Sequence, residues 1–291
     1  MEKLIIKDLY RNTENYIDKA VEVAGWVKTV RDSKAFGFIE LNDGSFFNNL
    51  QIVFNDKLAN FEEVRKLTIS SSIIVNGKVV KTENAKQPFE IHADSVEIFN
   101  LADADYPLQK KRHSFEYLRT VAHLRPRTNT FNAVFRIRSV AAFAIHEYFQ
   151  NNGYVYVNTP IITCADCEGS AEMFKLTTLD LDKPLPQKDG KTDFSEDLFG
   201  KKAYITGSGQ LHGETFAEAY GKIYTFGPTL RSENSNTKTH ANEFWMIEPE
   251  IAFCDLEQLM DIEEDCLKFV VSRVLEKCPE EMEFCDKFIE Q

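Results

Sequence analysis

Short alternating runs of apolar and polar residues fill the first hundred positions of the chain. Alternation with period two is typical of strands that bury one face. Five such runs are present, at residues 21–27, 37–41, 50–54, 72–80 and 89–98. The turn Asn42-Asp43-Gly44 separates two of them, and one helix is predicted near residues 58–65. This part of the chain is therefore predicted to be mostly β-structure.

Five short strands with one helix favour a small closed barrel of the oligonucleotide-binding (OB) type over residues 1–102. Another small barrel or a sandwich fits the same periodicity, so the pattern alone leaves the barrel type open.

The pattern changes after residue 105, and residues 103–128 are predicted to be a linker. Apolar residues then recur at helical spacing from Val134 to Tyr148, which predicts a helix over 130–150 with Gly153 as its left-handed cap. Further predicted elements are strands at 154–157, near Tyr204, at 223–226 and at 244–253, an inserted loop at 180–200, and a helix at 255–275. Strands and helices in this irregular order predict an α+β domain over residues 129–291.

Composition favours a folded intracellular protein, which we expect in the cytoplasm and without membrane contact. The chain is 43% hydrophobic, has six cysteines, and contains no apolar run of the roughly 18 residues that a membrane helix needs. The net charge of −12 discourages a polyanionic partner, but residues 255–291 alone carry 12 acids against four bases. Residues 109–127 are basic and could face phosphate or form a solvated linker. Nucleic acid is therefore not excluded.

A second cluster of charge lies in the predicted hairpin of residues 226–250. Arg231 and Glu233 are two apart and share one face of an extended strand, and the returning strand can place Phe244 and Glu248 beside them. A nucleotide site needs a guanidinium for phosphate, an acceptor for an amine and an aromatic face for a base. A surface salt bridge is the alternative that these residues leave open.

Two long segments carry a family resemblance. The stretch FGPTLRSENSNTKTHANEFWMIEPE resembles motif 2 of class II aminoacyl-tRNA synthetases, and its ending looks like the asparaginyl members of the aspartyl, asparaginyl and lysyl subgroup. The stretch from RPRTNT to NTPIIT resembles motif 1, the helix and strand that form the dimer interface. The resemblance implies an OB-type barrel, then a class II catalytic domain with an antiparallel sheet, and a homodimer through motif 1.

The resemblance also implies roles for single residues of an ATP site. Arg231 matches the arginine that holds the α-phosphate through the transition state and is the implied catalytic residue. Glu233 matches the acceptor for the adenine amine, Phe244 the ring stacked on adenine, and His240 a residue near the terminal phosphates. ATP and Mg²⁺ are the implied cofactors, while the metal ligands remain unassigned.

The amino-acid pocket is assigned in the same way. Ser208 and Gln210 lie in a segment that looks like the strand holding the substrate's amino group, and Glu168 lies in a segment like the loop that closes over it. Gly213 stands where aspartyl enzymes carry a lysine for the substrate carboxylate. Glu248 can accept from a side-chain amide and would repel a carboxylate, so the pocket is expected to take L-asparagine.

Three residues of the barrel match anticodon-binding positions of the family. Phe38 aligns with the aromatic residue that stacks on the central base, Gln51 with an amide that reads a base edge, and Arg31 with a basic contact. The implied RNA is tRNA(Asn). Ignoring the resemblance, Phe38 could equally belong to the core and Gln51 to an exposed strand.

The resemblance implies an asparagine–tRNA ligase that forms an adenylate and then charges tRNA. Nothing after residue 253 resembles motif 3, so we expect a C-terminally shortened, incomplete catalytic domain that could be inactive. The alternative is a tRNA-binding module or regulator that has lost catalysis. A related asparagine synthetase is disfavoured by the N-terminal barrel. Cys164 and Cys167 lack a second Cys/His pair and are expected to be free thiols.

Overall fold

The computed structural model describes residues 3–83, 87–167, 172–234, 237 and 239–289. The helices are α1 (Ile6–Arg11), α2 (Phe61–Val64), α3 (Phe115–Thr120), α4 (Asn129–Asn151), α5 (Gln210–Tyr220), α6 (Leu256–Lys277) and α7 (Pro279–Phe288). The strands are β1 (Ala20–Ser33), β2 (Phe36–Asn42), β3 (Leu50–Asn55), β4 (Ser72–Lys81), β5 (Phe89–Asn100), β6 (Val155–Tyr156), β7 (Ile162–Thr163), β8 (Lys175–Leu176), β9 (Gln187–Lys188), β10 (Lys191–Thr192), β11 (Ala203–Ile205), β12 (Lys222–Leu230) and β13 (Glu243–Ile251).

Two compact units divide the chain. The first contains residues 1–139 together with 277–291, and the second contains residues 140–276. The boundaries that the sequence predicts at residues 102 and 128 both fall inside the first unit and stay predictions.

The first unit is built on a closed barrel with strand order β1-β2-β3-β5-β4. Strands β3 and β5 pair in parallel and close the barrel, while the other neighbours are antiparallel. Alternate residues of each strand point inward, and Val23, Ile39, Ile52 and Ile91 are fully buried. The closed barrel predicted from the period-two pattern is confirmed.

Close packing inside the barrel requires a glycine in β2. A β-carbon at Gly37 would lie 2.3 Å from the ring of Phe54, which is itself fully buried. Any side chain at this position would displace a core aromatic residue.

Helix α7 is an element that the sequence analysis missed, since residues 276–291 read only as an acidic tail. Pro279 stands in its first turn, where proline's missing N–H costs nothing. Within the first unit, Glu281 is 5% exposed with Arg136 at 3.9 Å, and Phe284 packs on Phe47 with ring centroids 5.3 Å apart. Tertiary contacts of this kind are not encoded in local periodicity.

The second unit contains two three-stranded sheets. One has the order β13-β12-β6, with β12 and β13 antiparallel over nine residues each, and the other has the order β7-β11-β8. Helix α6 packs beside the first sheet, since Ile262 and Phe269 contact the buried cluster that includes Tyr148, Phe149 and Tyr224. The predicted α+β class is confirmed.

The segment predicted as an inserted loop at residues 180–200 holds the hairpin β9/β10. Asp197 anchors its end, because the carboxylate accepts hydrogen bonds from the hydroxyl of Thr177 at 2.6 Å and from the backbone N–H of Thr178 at 2.7 Å. These hydrogen bonds hold the pKa of the Asp197 carboxyl well below its ordinary value.

Candidate active site

The open end of the β12/β13 hairpin gathers the residues predicted to bind ATP. Arg231 directly follows β12, and its N–H donates to the carbonyl of Asn242 at 3.0 Å. The side-chain amide of Asn242 donates back to the carbonyl of Arg231 at 2.8 Å and to that of Glu233 at 3.3 Å. Asn242 therefore continues the strand pairing past Leu230 and fixes the backbone that carries Arg231 and Glu233.

An open cleft of about 370 Å³ lies at this end of the hairpin. Its lining comprises Arg231, Glu233, Thr239, His240, Ala241, Asn242 and Phe244. All four residues predicted for the ATP site thus border one cleft, whose volume is within the range of ordinary ligand pockets. Their individual roles stay predictions.

Arg231 also faces away from the hairpin toward the chain between β11 and α5. Its guanidinium donates through Nε and Nη2 to the carbonyl of Gly207, at 3.2 and 3.1 Å. The guanidinium carbon lies 5.7 Å from the centre of the Phe244 ring, within range of a cation–π interaction. Arg231 therefore connects the nucleotide cleft with the segment that carries Ser208.

A second polar cluster surrounds the carboxylate of Glu248 in the middle of β13. The hydroxyl of Ser208 and the hydroxyl of Thr225 donate to it, the latter at 3.0 Å. The N–H of Gly209 donates to both carboxylate oxygens, at 3.1 and 3.2 Å. Ser208 and Thr225 are 2% and 5% exposed. Glu248 thus acts as a common acceptor that holds the β11–α5 turn onto the sheet, and a small space of about 20 Å³ borders it.

The prediction that residues 206–212 form a strand is wrong. Strand β11 ends at Ile205 and helix α5 begins at Gln210. The hydroxyl of Ser208 accepts the N–H of Gln210 at 3.1 Å, and Gly209 has right-handed helical backbone angles, so the chain turns into the helix. The side chain of Gln210 is exposed and donates to Glu214 at 3.1 Å, so the structure does not bring it to Ser208 and Glu248.

Gly213 lies in the first turn region of α5 against the same sheet. A β-carbon there would lie 3.3 Å from Ile223 and 3.6 Å from the side chain of Glu250. Burial raises the pKa of the Glu250 carboxyl, and the nearby Glu214 and Glu248 raise it further. The place where aspartyl enzymes carry a lysine is therefore next to an acid that sequence reasoning missed. Its two-residue spacing from Glu248 was the available signal.

Glu168, predicted to face the substrate amine, lies outside the described residues. The described residues on either side of residues 168–171 both bind to the site. The thiol of Cys167 donates to the carbonyl of Ser208 at 3.2 Å, and the N–H of Ser232 donates to the carbonyl of Glu172 at 2.6 Å.

On the barrel, the three predicted anticodon residues share the outer face. Arg31 pairs with Phe38 in the β1/β2 register, and its guanidinium binds Glu40 at 3.2 Å. Phe38 is half-buried with Phe36 edge-on at 5.6 Å. The amide nitrogen of Gln51 donates to Glu90 at 2.9 Å. The face thus combines aromatic rings with polar groups, and the roles of its residues stay predictions.

Two searches of the described residues concern metals and membranes. No three His, Cys, Asp or Glu side chains in these parts of the chain come together in a way that could hold a metal ion. No helix there has the length and apolar character needed to cross a bilayer. Cys164 and Cys167, like the other four cysteines, form no disulfide.

Comparison with known proteins gives consistent matches along the chain. Residues 114–290 match the family tRNA synthetases class II (D, K and N), and residues 21–99 match the OB-fold nucleic acid binding domain. The second match confirms the barrel type that periodicity left open.

Relatives match the chain over all of its 291 residues. Asparagine–tRNA ligases of Acetivibrio thermocellus and Clostridium novyi are 61% and 58% identical to it. The chain spans 63% of the length of each of these relatives. The crystal structure of asparaginyl-tRNA synthetase from Pyrococcus horikoshii complexed with asparaginyl-adenylate superimposes with a TM-score of 0.82 at 28% identity, covering 98% of this chain and 61% of that one.

Proposed function

The chain belongs to the class II tRNA synthetases (D, K and N), and from this membership we propose that it carries the activation site and the tRNA-binding barrel of an asparagine–tRNA ligase. The proposed reaction joins L-asparagine to ATP as an asparaginyl-adenylate and then transfers the asparaginyl group to tRNA(Asn). Support comes from the relatives, which are asparagine–tRNA ligases, and from the neighbour that holds asparaginyl-adenylate.

One observation carries the proposal most directly. Arg231 borders the 370 Å³ cleft and also hydrogen-bonds Gly207, whose next neighbour Ser208 binds Glu248. A cleft suited to a nucleotide and a polar pocket suited to an amino acid are therefore joined through one guanidinium. An enzyme that links an amino-acid carboxylate to the α-phosphate of ATP needs this arrangement.

In the proposed first step, the asparagine carboxylate attacks the α-phosphorus in line and pyrophosphate leaves. Phe244 stacks on adenine, Glu233 accepts from its exocyclic amine, and His240 approaches the terminal phosphates. Arg231 neutralises charge that develops on the α-phosphate, and a fixed guanidinium stabilises such charge without reorganising. No covalent bond to the protein is formed, so catalysis rests on positioning and charge.

Selection of asparagine is proposed to depend on the acids of β13. Glu248 accepts from the substrate's amide and repels a carboxylate, while Gly213 leaves no cation to pair with aspartate. The hydroxyl and N–H donors that hold Glu248 also fix its carboxylate in one orientation. Glu250 adds a second acid beside Gly213.

Further parts of the proposal concern partners. Mg²⁺ would enter with the phosphates of ATP, and we assign it no protein ligands because the described residues offer no cluster of three. The proposed dimer forms through motif 1, where Phe143, Val155 and Tyr156 expose apolar surface. The proposed site of action is the cytoplasm. Sedimentation of the chain at micromolar concentration tests the dimer.

The experiment that tests the function is exchange of pyrophosphate into ATP, with asparagine and aspartate side by side and ATP binding measured by calorimetry in the same sample. We expect ATP binding and asparagine-dependent exchange, and both are expected to fall at least about 100-fold in Arg231→Ala. Exchange that aspartate supports equally would overturn the amino-acid assignment. Absence of both exchange and ATP binding would favour a tRNA-binding module instead.

A further inference from the structure

Three polar side chains form a continuous hydrogen-bonded row on the outer face of the barrel. Gln51 donates from Nε2 to Oε2 of Glu90 at 2.9 Å, and the other oxygen of Glu90 lies 2.8 Å from Nε2 of His92. The parallel register of β3 and β5, in which Ile52 faces Ile91, places Gln51 beside Glu90. Glu90 thus has both oxygens engaged, one by each neighbour.

The chemistry of this row fixes which way the Gln51 amide faces. A carboxylate only accepts hydrogen bonds, so the NH₂ end of the amide must face Glu90 and the carbonyl end must face away from it. The reversed amide would set its oxygen against a carboxylate and lose a charge-assisted bond. His92 in turn must donate from Nε2, and this donation holds Glu90 in place.

The other acid beside Gln51 does not compete for its amide. Glu40 is opposite Gln51 in the β2/β3 register, but one of its oxygens binds Arg31 at 3.2 Å and the other accepts from Asn49 at 3.3 Å. Phe38, one position along β2 on the same face, lies opposite Val53, which in turn faces His92. An aromatic platform and an oriented amide are therefore adjacent on one surface.

We propose that Glu90 is a positioning residue that presents the carbonyl oxygen of Gln51 to the base read by this surface, and so selects bases with a ring N–H. Uracil N3 and guanine N1 carry such a hydrogen, whereas the matching ring nitrogens of cytosine and adenine are acceptors that would repel the oxygen. The inference rests on the proposed function, in which the barrel binds the tRNA anticodon.

The test uses the full chain and RNA hairpins with the asparagine anticodon loop, with each anticodon uracil replaced in turn by cytosine. At one anticodon position the unchanged protein should prefer uracil to cytosine by about tenfold or more, as expected for one hydrogen bond replaced by a repulsive contact. Glu90→Gln, which can turn the amide either way, should reduce this preference to about threefold or less. His92→Ala should reduce it partially.

Glu97→Gln is the matched control, since Glu97 is an exposed acid on the same strand, and it should leave the preference unchanged. A positioning role also predicts non-additivity, because Glu90→Gln should have no further effect on the preference in a Gln51→Ala background. An equal effect of Glu90→Gln in that background would show that Glu90 reads a base itself and would overturn the inference.

Two other results are informative. Binding of the uracil hairpin with a preference that Glu90→Gln leaves intact would refute the inference while supporting the proposed function. Failure of the folded, unchanged protein to bind any hairpin would refute both.

Discussion

Replacement of Glu248 should destabilise the second unit, because this carboxylate is the shared acceptor of three buried or nearly buried donors. In Glu248→Ala, the hydroxyls of Ser208 and Thr225 and the N–H of Gly209 all lose their partner. Each buried donor left unsatisfied costs about 1–3 kcal/mol, but a hydroxyl can rotate to another acceptor whereas the backbone N–H cannot. We expect a loss of about 3 kcal/mol for Glu248→Ala, and about half of that for Glu248→Gln, which keeps one acceptor oxygen.

The assay is urea unfolding followed by tryptophan fluorescence. The chain has two tryptophans, Trp26 in the barrel and Trp245 on β13, so a Trp26→Phe background reports the second unit alone. Glu243→Gln, an exposed acid at the start of the same strand, is the control and should change stability by less than about 0.5 kcal/mol. A Glu248→Ala variant as stable as this control would refute the view that Glu248 holds the β11–α5 turn.

Three further predictions concern other parts of the chain. Gly37→Ala should destabilise the barrel by about 2 kcal/mol because the new methyl group would meet the Phe54 ring, and urea unfolding reported by Trp26 in a Trp245→Phe background measures this. Asp197 has a pKa below its unfolded value of 3.8, so its contribution to stability is present above that pH and lost as the pH falls; melting temperatures from pH 3 to 7 should depend less on pH in Asp197→Asn. Gly213→Lys would put a cation beside Glu250 and should shift the ratio of aspartate to asparagine exchange toward aspartate by about tenfold or more, while an unchanged ratio would contradict the role given to this glycine.

Local pattern was sufficient for the elements whose packing follows their own periodicity. The barrel strands alternate because each buries one face, and the predicted helix at 130–150 is observed as Asn129–Asn151. Gly153 has the positive φ of 78° that its predicted cap requires. These features depend on neighbours in sequence and were therefore readable.

Features that depend on distant contacts were not readable in this way. The turn at Ser208 and Gly209 forms because Glu248, some forty residues later, accepts from both, and no local signal separates it from a continuing strand. Helix α7 likewise depends on contacts with Arg136 and Phe47. The grouping of Arg231, Glu233 and Phe244 at one cleft followed from the hairpin pattern, whereas Thr225 and Glu250 required the observed register.

The measurement that tests the central claim most directly is calorimetric binding of two non-reactive adenylate analogues, asparaginyl- and aspartyl-sulfamoyl-adenosine, to the chain. Each analogue fills the nucleotide cleft and the amino-acid pocket together and requires no catalysis. The account predicts binding of the asparaginyl analogue, about 100-fold or more weaker binding of the aspartyl analogue, and loss of binding in Arg231→Ala. Equal affinity for the two analogues, or binding that Arg231→Ala does not weaken, would contradict it.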